Sequence, residues 1–215
     1  LSSSSAASDV YKRQMQGIPH ELIDIIDPSE EWNVVRFQRE AKAAVQRITA
    51  RGRLPVLVGG TGFYIQALLY DIDFTETRED TSYRSLLEEK ARTEGNESLY
   101  RMLQEKDPEA AAAIHQNNLK RVIRALEFTR ETGEKISDHN EEQRKRQAAY
   151  DAVFFVLTME REKLYRRIDL RVDQMMEAGL LEEVKRLQEQ GFTSRDVSMQ
   201  GLGYKEILDY LDGKI

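Results

Sequence analysis

Apolar residues fall in two rhythms along this chain: short unbroken runs, and longer stretches at helical spacing. Leu54, Val56, Leu57 and Val58 make the first clear run, too short for a helix and rich in β-branched side chains. Such a run predicts a strand buried on both faces, as in a parallel sheet. Residues 152–157 (Ala-Val-Phe-Phe-Val-Leu) predict a second, and residues 20–26, closed by Asp27-Pro28, a third. Between the first two in chain order, Phe37, Ala41, Ala44, Val45 and Ile48 recur at helical spacing, with Ser29 as a plausible N-cap and Gly52 as the stop. The order strand, helix, strand, glycine turn, helix predicts a parallel α/β layer, half of a doubly wound domain.

From about residue 75 to 150 no strand pattern occurs, only charged helical segments. One follows Asp80-Thr81 through Leu86 and Leu87, and another carries Leu99, Met102 and Leu103. Asp107-Pro108 opens a third, with proline at its favoured first-turn position. Asn117 or Asn118 caps a fourth, which runs from Leu119 to the stop at Gly133. Residues 141–147 read as a solvated helix face or loop. After residue 157 a long helix carries Leu164, Ile168, Val172 and Met175, breaks at Gly179, and resumes through Leu180, Val184 and Leu187. The expected organisation is an α/β core over 15–72 and 151–215, interrupted by an all-helical insertion over 73–150. Residues 1–14, rich in Ser and Ala and without periodicity, are expected to be a non-native leader.

Composition narrows the class. The chain has 215 residues, 40% hydrophobic and 33% charged, with no apolar run long enough to span a membrane. Cysteine is absent, which excludes disulfides and thiolate metal sites and agrees with a reducing, cytoplasmic setting. His20, His115 and His139 are too scattered to suggest a zinc site. A net charge of −6 means that any nucleic-acid site must be a local patch.

Three stretches carry candidate chemistry. Gly59, Gly60 and Gly62 bracket Thr61 between a predicted strand and helix, an arrangement that leaves N–H groups at a helix N-terminus to meet a phosphate. The plainer reading is an ordinary turn, with glycines supplying positive φ and Thr61 capping the helix. At ~100° per residue, Lys120, Arg121 and Arg124 gather opposite the stripe of Leu119, Val122, Ile123 and Leu126. They form either a solvated face balanced by Glu127 and Glu131 or a small phosphate-contacting surface. Arg171 falls within the apolar stripe of the long helix, where it needs an anionic partner, either a carboxylate or a bound phosphate. A second glycine-bearing turn, Gln200-Gly-Leu-Gly-Tyr-Lys205, adds an aromatic and a cation.

Separated segments, taken in order, resemble the tRNA dimethylallyltransferases, also called tRNA isopentenylpyrophosphate transferases. They are Pro19-His20 with Leu22-Ile-Asp24; Pro55-Val-Leu-Val-Gly-Gly-Thr-Gly-Phe-Tyr64; Asn118 through Arg124-Ala-Leu-Glu127; Leu164-Tyr-Arg-Arg-Ile-Asp-Leu-Arg171 with Met175; Gly179-Leu-Leu-Glu-Glu-Val184; and Gly201-Leu-Gly-Tyr-Lys-Glu206. The resemblance implies transfer of a dimethylallyl group from its diphosphate to N6 of an adenine beside the anticodon. It also implies a P-loop nucleotide-kinase-like core, a helical insertion gripping the anticodon stem-loop, and Mg²⁺ as cofactor. Thr61 resembles the family's reaction-centre residue, with Gly59, Gly60 and Gly62 around the substrate, and Arg171 resembles the cation that neutralises the departing diphosphate. Arg84, Lys120, Arg121 and Arg124 resemble tRNA contacts, as do Gln200, Gly201, Leu202, Gly203, Tyr204 and Lys205. A monomer is expected.

The chain departs from the family in three ways. It has no G-x-x-x-x-G-K-[ST] loop, and the family's acidic general base just after that loop has no match, nor has any magnesium ligand. The 215-residue polypeptide is therefore expected to be inactive alone. Alternative readings are an adenylate prenyltransferase acting on free nucleotide, a non-catalytic RNA-binding remnant, and a P-loop kinase fragment. A helical arm is superfluous for the first, and a basic insertion helix is unexplained by the last.

Overall fold

The structure, a computed structural model, describes Met15 and residues 17–74 and 81–215. The expected leader over 1–14 lies outside the described residues, as does Asp80. Contacts divide the chain into two compact units, Leu69–Asp151 and the segments up to Leu68 and from Ala152 to Ile215.

The discontinuous unit contains α1 (Val34–Ala50), α2 (Gly62–Leu69, whose last residue opens the other unit), α8 (Arg161–Glu177), α9 (Leu180–Glu189) and α10 (Tyr204–Leu211). Asn33, rather than Ser29, caps α1, its Oδ1 accepting from the Arg36 N–H at 2.9 Å. Ser29 instead donates its hydroxyl to Asp27, which leaves it no part in the helix. The Phe37 and Tyr64 rings stack at 4.8 Å, and the buried Gln38 donates to the Ala67 carbonyl at 2.7 Å, fastening α2 to α1. A separate core forms where α9 and α10 meet a 3₁₀ turn at Val197–Gln200. Leu180, Val184, Met199, Tyr204 and Leu208 are buried there.

The α/β parallel-sheet core expected from the apolar runs is absent: no strand occurs among the described residues. An apolar run supplies β-propensity, but a strand exists only where a neighbour takes up its N–H and C=O groups. The run at 54–58 stays unladdered, with Leu54 84% and Val58 81% exposed, and in the run at 152–157 Leu157 is 94% exposed. In the third segment Leu22 and Asp24 take positive φ, 64° and 53°, which breaks an extended path. The amphipathic reading of α8 also changes. It has no buried residue, and Leu164, Ile168 and Val172 are exposed, so Arg171 stands half-buried on an open helix.

The second unit is built from α3 (Thr81–Glu94), α4 (Asn96–Lys106), α5 (Pro108–Ala113), α6 (Leu119–Thr132) and α7 (Ile136–Arg144). Helices α3, α4 and α6 pack on one another around Leu87, Leu99, Leu103, Val122 and Leu126. The end signals act as their chemistry requires. Asn118 caps α6, and Gly133 follows it at φ 75°, a conformation glycine adopts without steric cost. Ala149 N–H donates to the Leu69 carbonyl at 2.7 Å, closing the unit near its two ends.

Asp107 joins two helices of this unit. Its fully buried side chain caps α5 through the Ala110 N–H at 2.9 Å and holds the start of α7 through the Ser137 N–H at 3.0 Å. Burial works against its charge, yet the two N–H donors and nearby Lys135 outweigh it, so the carboxyl lies below its ordinary value. Asp107→Asn is expected to lower the unfolding free energy at pH 7 by about 1–2 kcal/mol, read from urea denaturation. Because the folded value is the lower one, the charge contributes fully above the unfolded value of about 3.9. The contribution is lost as pH falls from there through the folded value, so the two proteins converge on acidification. In the other unit, Tyr204→Phe removes a 2.6 Å hydrogen bond to the buried Glu183 carboxylate. Its expected cost is also about 1–2 kcal/mol, and a urea midpoint indistinguishable from the unaltered chain would contradict it.

Candidate functional site

The glycine turn differs from the plain reading of it. None of Gly59, Gly60 and Gly62 has positive φ, and a Cβ added to any of them would meet nothing within 4 Å. Neither backbone conformation nor internal packing therefore demands glycine here. What three absent side chains leave is bare backbone, open to a close-approaching group. The Thr61 carbonyl accepts the first helical N–H groups, from Tyr64 at 3.0 Å and Ile65 at 3.2 Å. Thr61 itself is exposed, and its hydroxyl makes no hydrogen bond among the described residues. The arrangement offers an N–H-lined helix start and a hydroxyl to an anion.

Arg171 belongs to the same unit as this turn, on α8. There α8 packs on α9 and α9 on α10, while α2 is fastened to α1, and α2 and α8 share no extensive contact among the described residues. Among the described residues no three His, Cys, Asp or Glu side chains gather as a metal cage.

In the helical unit, Lys120, Arg121 and Arg124 are all exposed on α6. Arg84, from α3, is joined to that helix by a two-point bond. Its Nε and Nη2 donate to the two carboxylate oxygens of Glu127, each at 2.8 Å. On the solvated-face alternative Glu127 would balance these cations from the surface, but it is buried, and Arg84 covers it. One signal in the sequence marks it: Glu127 follows Ile123 by four residues, which puts it at the edge of the apolar stripe.

The turn from Gln200 to Lys205 separates into a fixed and an exposed part. Tyr204 is buried, its hydroxyl on Glu183, so its ring serves the core. Gly203 caps α10 at φ 90°, where its N–H donates to Glu206 at 2.9 Å and a Cβ would press on Leu180 at 3.4 Å. Gln200 is tied back to the Ser194 carbonyl, and Gly201 accepts from Tyr204 and Lys205 N–H groups. Leu202 and Lys205 are exposed, Leu202 to 86%. No helix among the described residues is long and apolar enough to cross a membrane.

Comparison with known proteins identifies the family. Residues 6–215 match the family described as IPP transferase. The tRNA dimethylallyltransferase of Lachnoclostridium phytofermentans is 56% identical over 205 residues, covering 95% of this chain and 66% of that protein. The Bacillus velezensis enzyme of the same name is 48% identical over 206 residues, 96% of this chain and 65% of its own length. The chain thus spans about two thirds of the length of these curated relatives. Among solved structures, the full-length tRNA isopentenylpyrophosphate transferase of Bacillus halodurans is 43% identical, with a TM-score of 0.63 over 99% of this chain and 65% of that one. A eukaryotic dimethylallyltransferase, captured acting on tRNA, gives a TM-score of 0.76 at 33% identity, over 94% of this chain and 52% of its own. The chain belongs to the IPP transferase family.

Proposed function

We propose that this chain supplies the diphosphate-facing turn and the RNA-facing helices of a tRNA dimethylallyl transfer. The observation that carries the reading is 56% identity with a tRNA dimethylallyltransferase across 95% of the chain. The bare glycine turn beside a Thr61 hydroxyl that makes no hydrogen bond among the described residues supports it. In the reaction, the bond between the allylic carbon and its diphosphate oxygen breaks with its electron pair leaving on the diphosphate, N6 of an adenine beside the anticodon forms the new C–N bond, and N6 passes a proton to a carboxylate base that has no match in this chain. Negative charge grows on the departing diphosphate, and fixed donors stabilise it most where water is excluded. The N–H groups at the start of α2, the Thr61 hydroxyl and the Arg171 guanidinium are the donors assigned to it. Gly59, Gly60 and Gly62 let the diphosphate approach the backbone.

The RNA side follows from charge. An adenine stacked in the anticodon loop hides its amine, so the base has to leave the stack to react. Holding the stem-loop is the role assigned to Lys120, Arg121, Arg124 and Arg84, with Gln200, Leu202 and Lys205 of the second turn. Gly201, Gly203 and Tyr204 shape that turn.

Dimethylallyl diphosphate binding, measured by titration calorimetry, tests the first half. Arg171→Ala is expected to weaken it about 10- to 100-fold and Thr61→Val about 10-fold, the range of a hydrogen bond to a charged group. Thr61 is exposed, so Thr61→Val should leave the melting temperature unchanged, which separates binding from folding. Unaltered affinity in both variants would refute the assignment. For the second half, replacing Lys120, Arg121 and Arg124 together by Ala should flatten the salt dependence of stem-loop binding. The slope of log K against log salt should shrink by about 2–3, close to one unit or less per lost phosphate contact.

A further inference from the structure

We propose that Glu127 is a positioning residue for RNA binding: its buried carboxylate draws Arg84 from α3 onto α6 and fixes it beside Lys120 and Arg124, making one basic face from two helices. The inference rests on the RNA-binding role given above to these cations. At ~100° per residue Lys120, Arg124 and Glu127 lie within about 60° of one another around α6. A guanidinium bonded to both Glu127 oxygens at 2.8 Å is therefore on the same side of the helix as the two cations. The pair is asymmetric. The Glu127 side chain is 8% exposed and that of Arg84 46%, so the acid is sealed beneath while the arginine still meets solvent.

The chemistry follows from that asymmetry. A side-on, two-point bond fixes the plane of the guanidinium, as no single contact does. An exposed arginine otherwise loses its rotamer freedom only when the RNA arrives, and that loss weakens binding. Here folding has already fixed it. The arrangement also explains an acid at the edge of a phosphate-binding face, where simple charge counting would exclude one.

Charge counting and positioning predict opposite signs. If Glu127 is only a negative charge near RNA phosphates, Glu127→Gln should tighten binding. If it positions Arg84, Glu127→Gln should weaken binding of an anticodon stem-loop RNA to the 215-residue chain by roughly 3- to 10-fold, measured by fluorescence anisotropy. Glu127→Asp keeps the charge but shortens the reach, and should also weaken it. In an Arg84→Ala background, Glu127→Gln should have no weakening effect. Arg84→Lys, which keeps the charge and leaves the buried acid in place, cannot make the two-point bond. It should weaken binding by a similar factor, and it stands as the test should the Glu127 variants fail to fold. Tighter or unchanged binding in Glu127→Gln, or an equal loss with and without Arg84, overturns the inference. If replacing Lys120, Arg121 and Arg124 by Ala also leaves binding unchanged, the RNA reading itself falls. If that triple variant weakens binding while Glu127→Gln does not, only the positioning role falls.

Discussion

A carboxylate shut away from water must be met by donors, and among the described residues that requirement fastens elements together at three points. Asp107 caps α5 and holds the first turn of α7. Glu127 binds α6 to α3 through Arg84. Glu183, on α9, takes the hydroxyl of Tyr204 at the start of α10. An unpaired charge in any of these positions would cost several kcal/mol, of the order of a whole domain's margin of stability. Each acid therefore specifies one arrangement of its two elements, where apolar contacts alone would tolerate small slips. Leucine and alanine fill the volume around these points, and the acids set the register.

Helix ends were legible in the sequence because their chemistry is local. Asn118, Asp107-Pro108, Gly133 and Gly179 mark termini within one turn of themselves, and the structure ends its helices there. The apolar runs at 54–58 and 152–157 were not legible in the same way. Composition gives a run its preference for extended backbone, but pairing depends on segments remote in sequence, and neither run is paired among the described residues. The α/β class followed from those runs and failed with them. Arg171 shows the same gap: periodicity placed it on a stripe, and burial of a stripe depends on what packs against it.

The candidate site divides along the same line. The glycine turn was visible as a pattern, but its meaning changed once the geometry was known, since no glycine there is required by φ or by packing. The basic residues of α6 could be read from spacing alone. Their connection to Arg84 could not, because it runs through an acid 43 residues away in sequence. Tyr204 resembles a tRNA contact in the sequence, and nothing local there marks it as the core residue it is, its hydroxyl on a buried acceptor.

Fastened at Tyr204 and capped at Gly203, the second turn cannot swing on its own. The bond to Glu183 makes it a rigid bracket on α9, with Leu202 as its projecting tip. Whatever docks at Leu202 thereby meets a surface whose shape is set before it arrives.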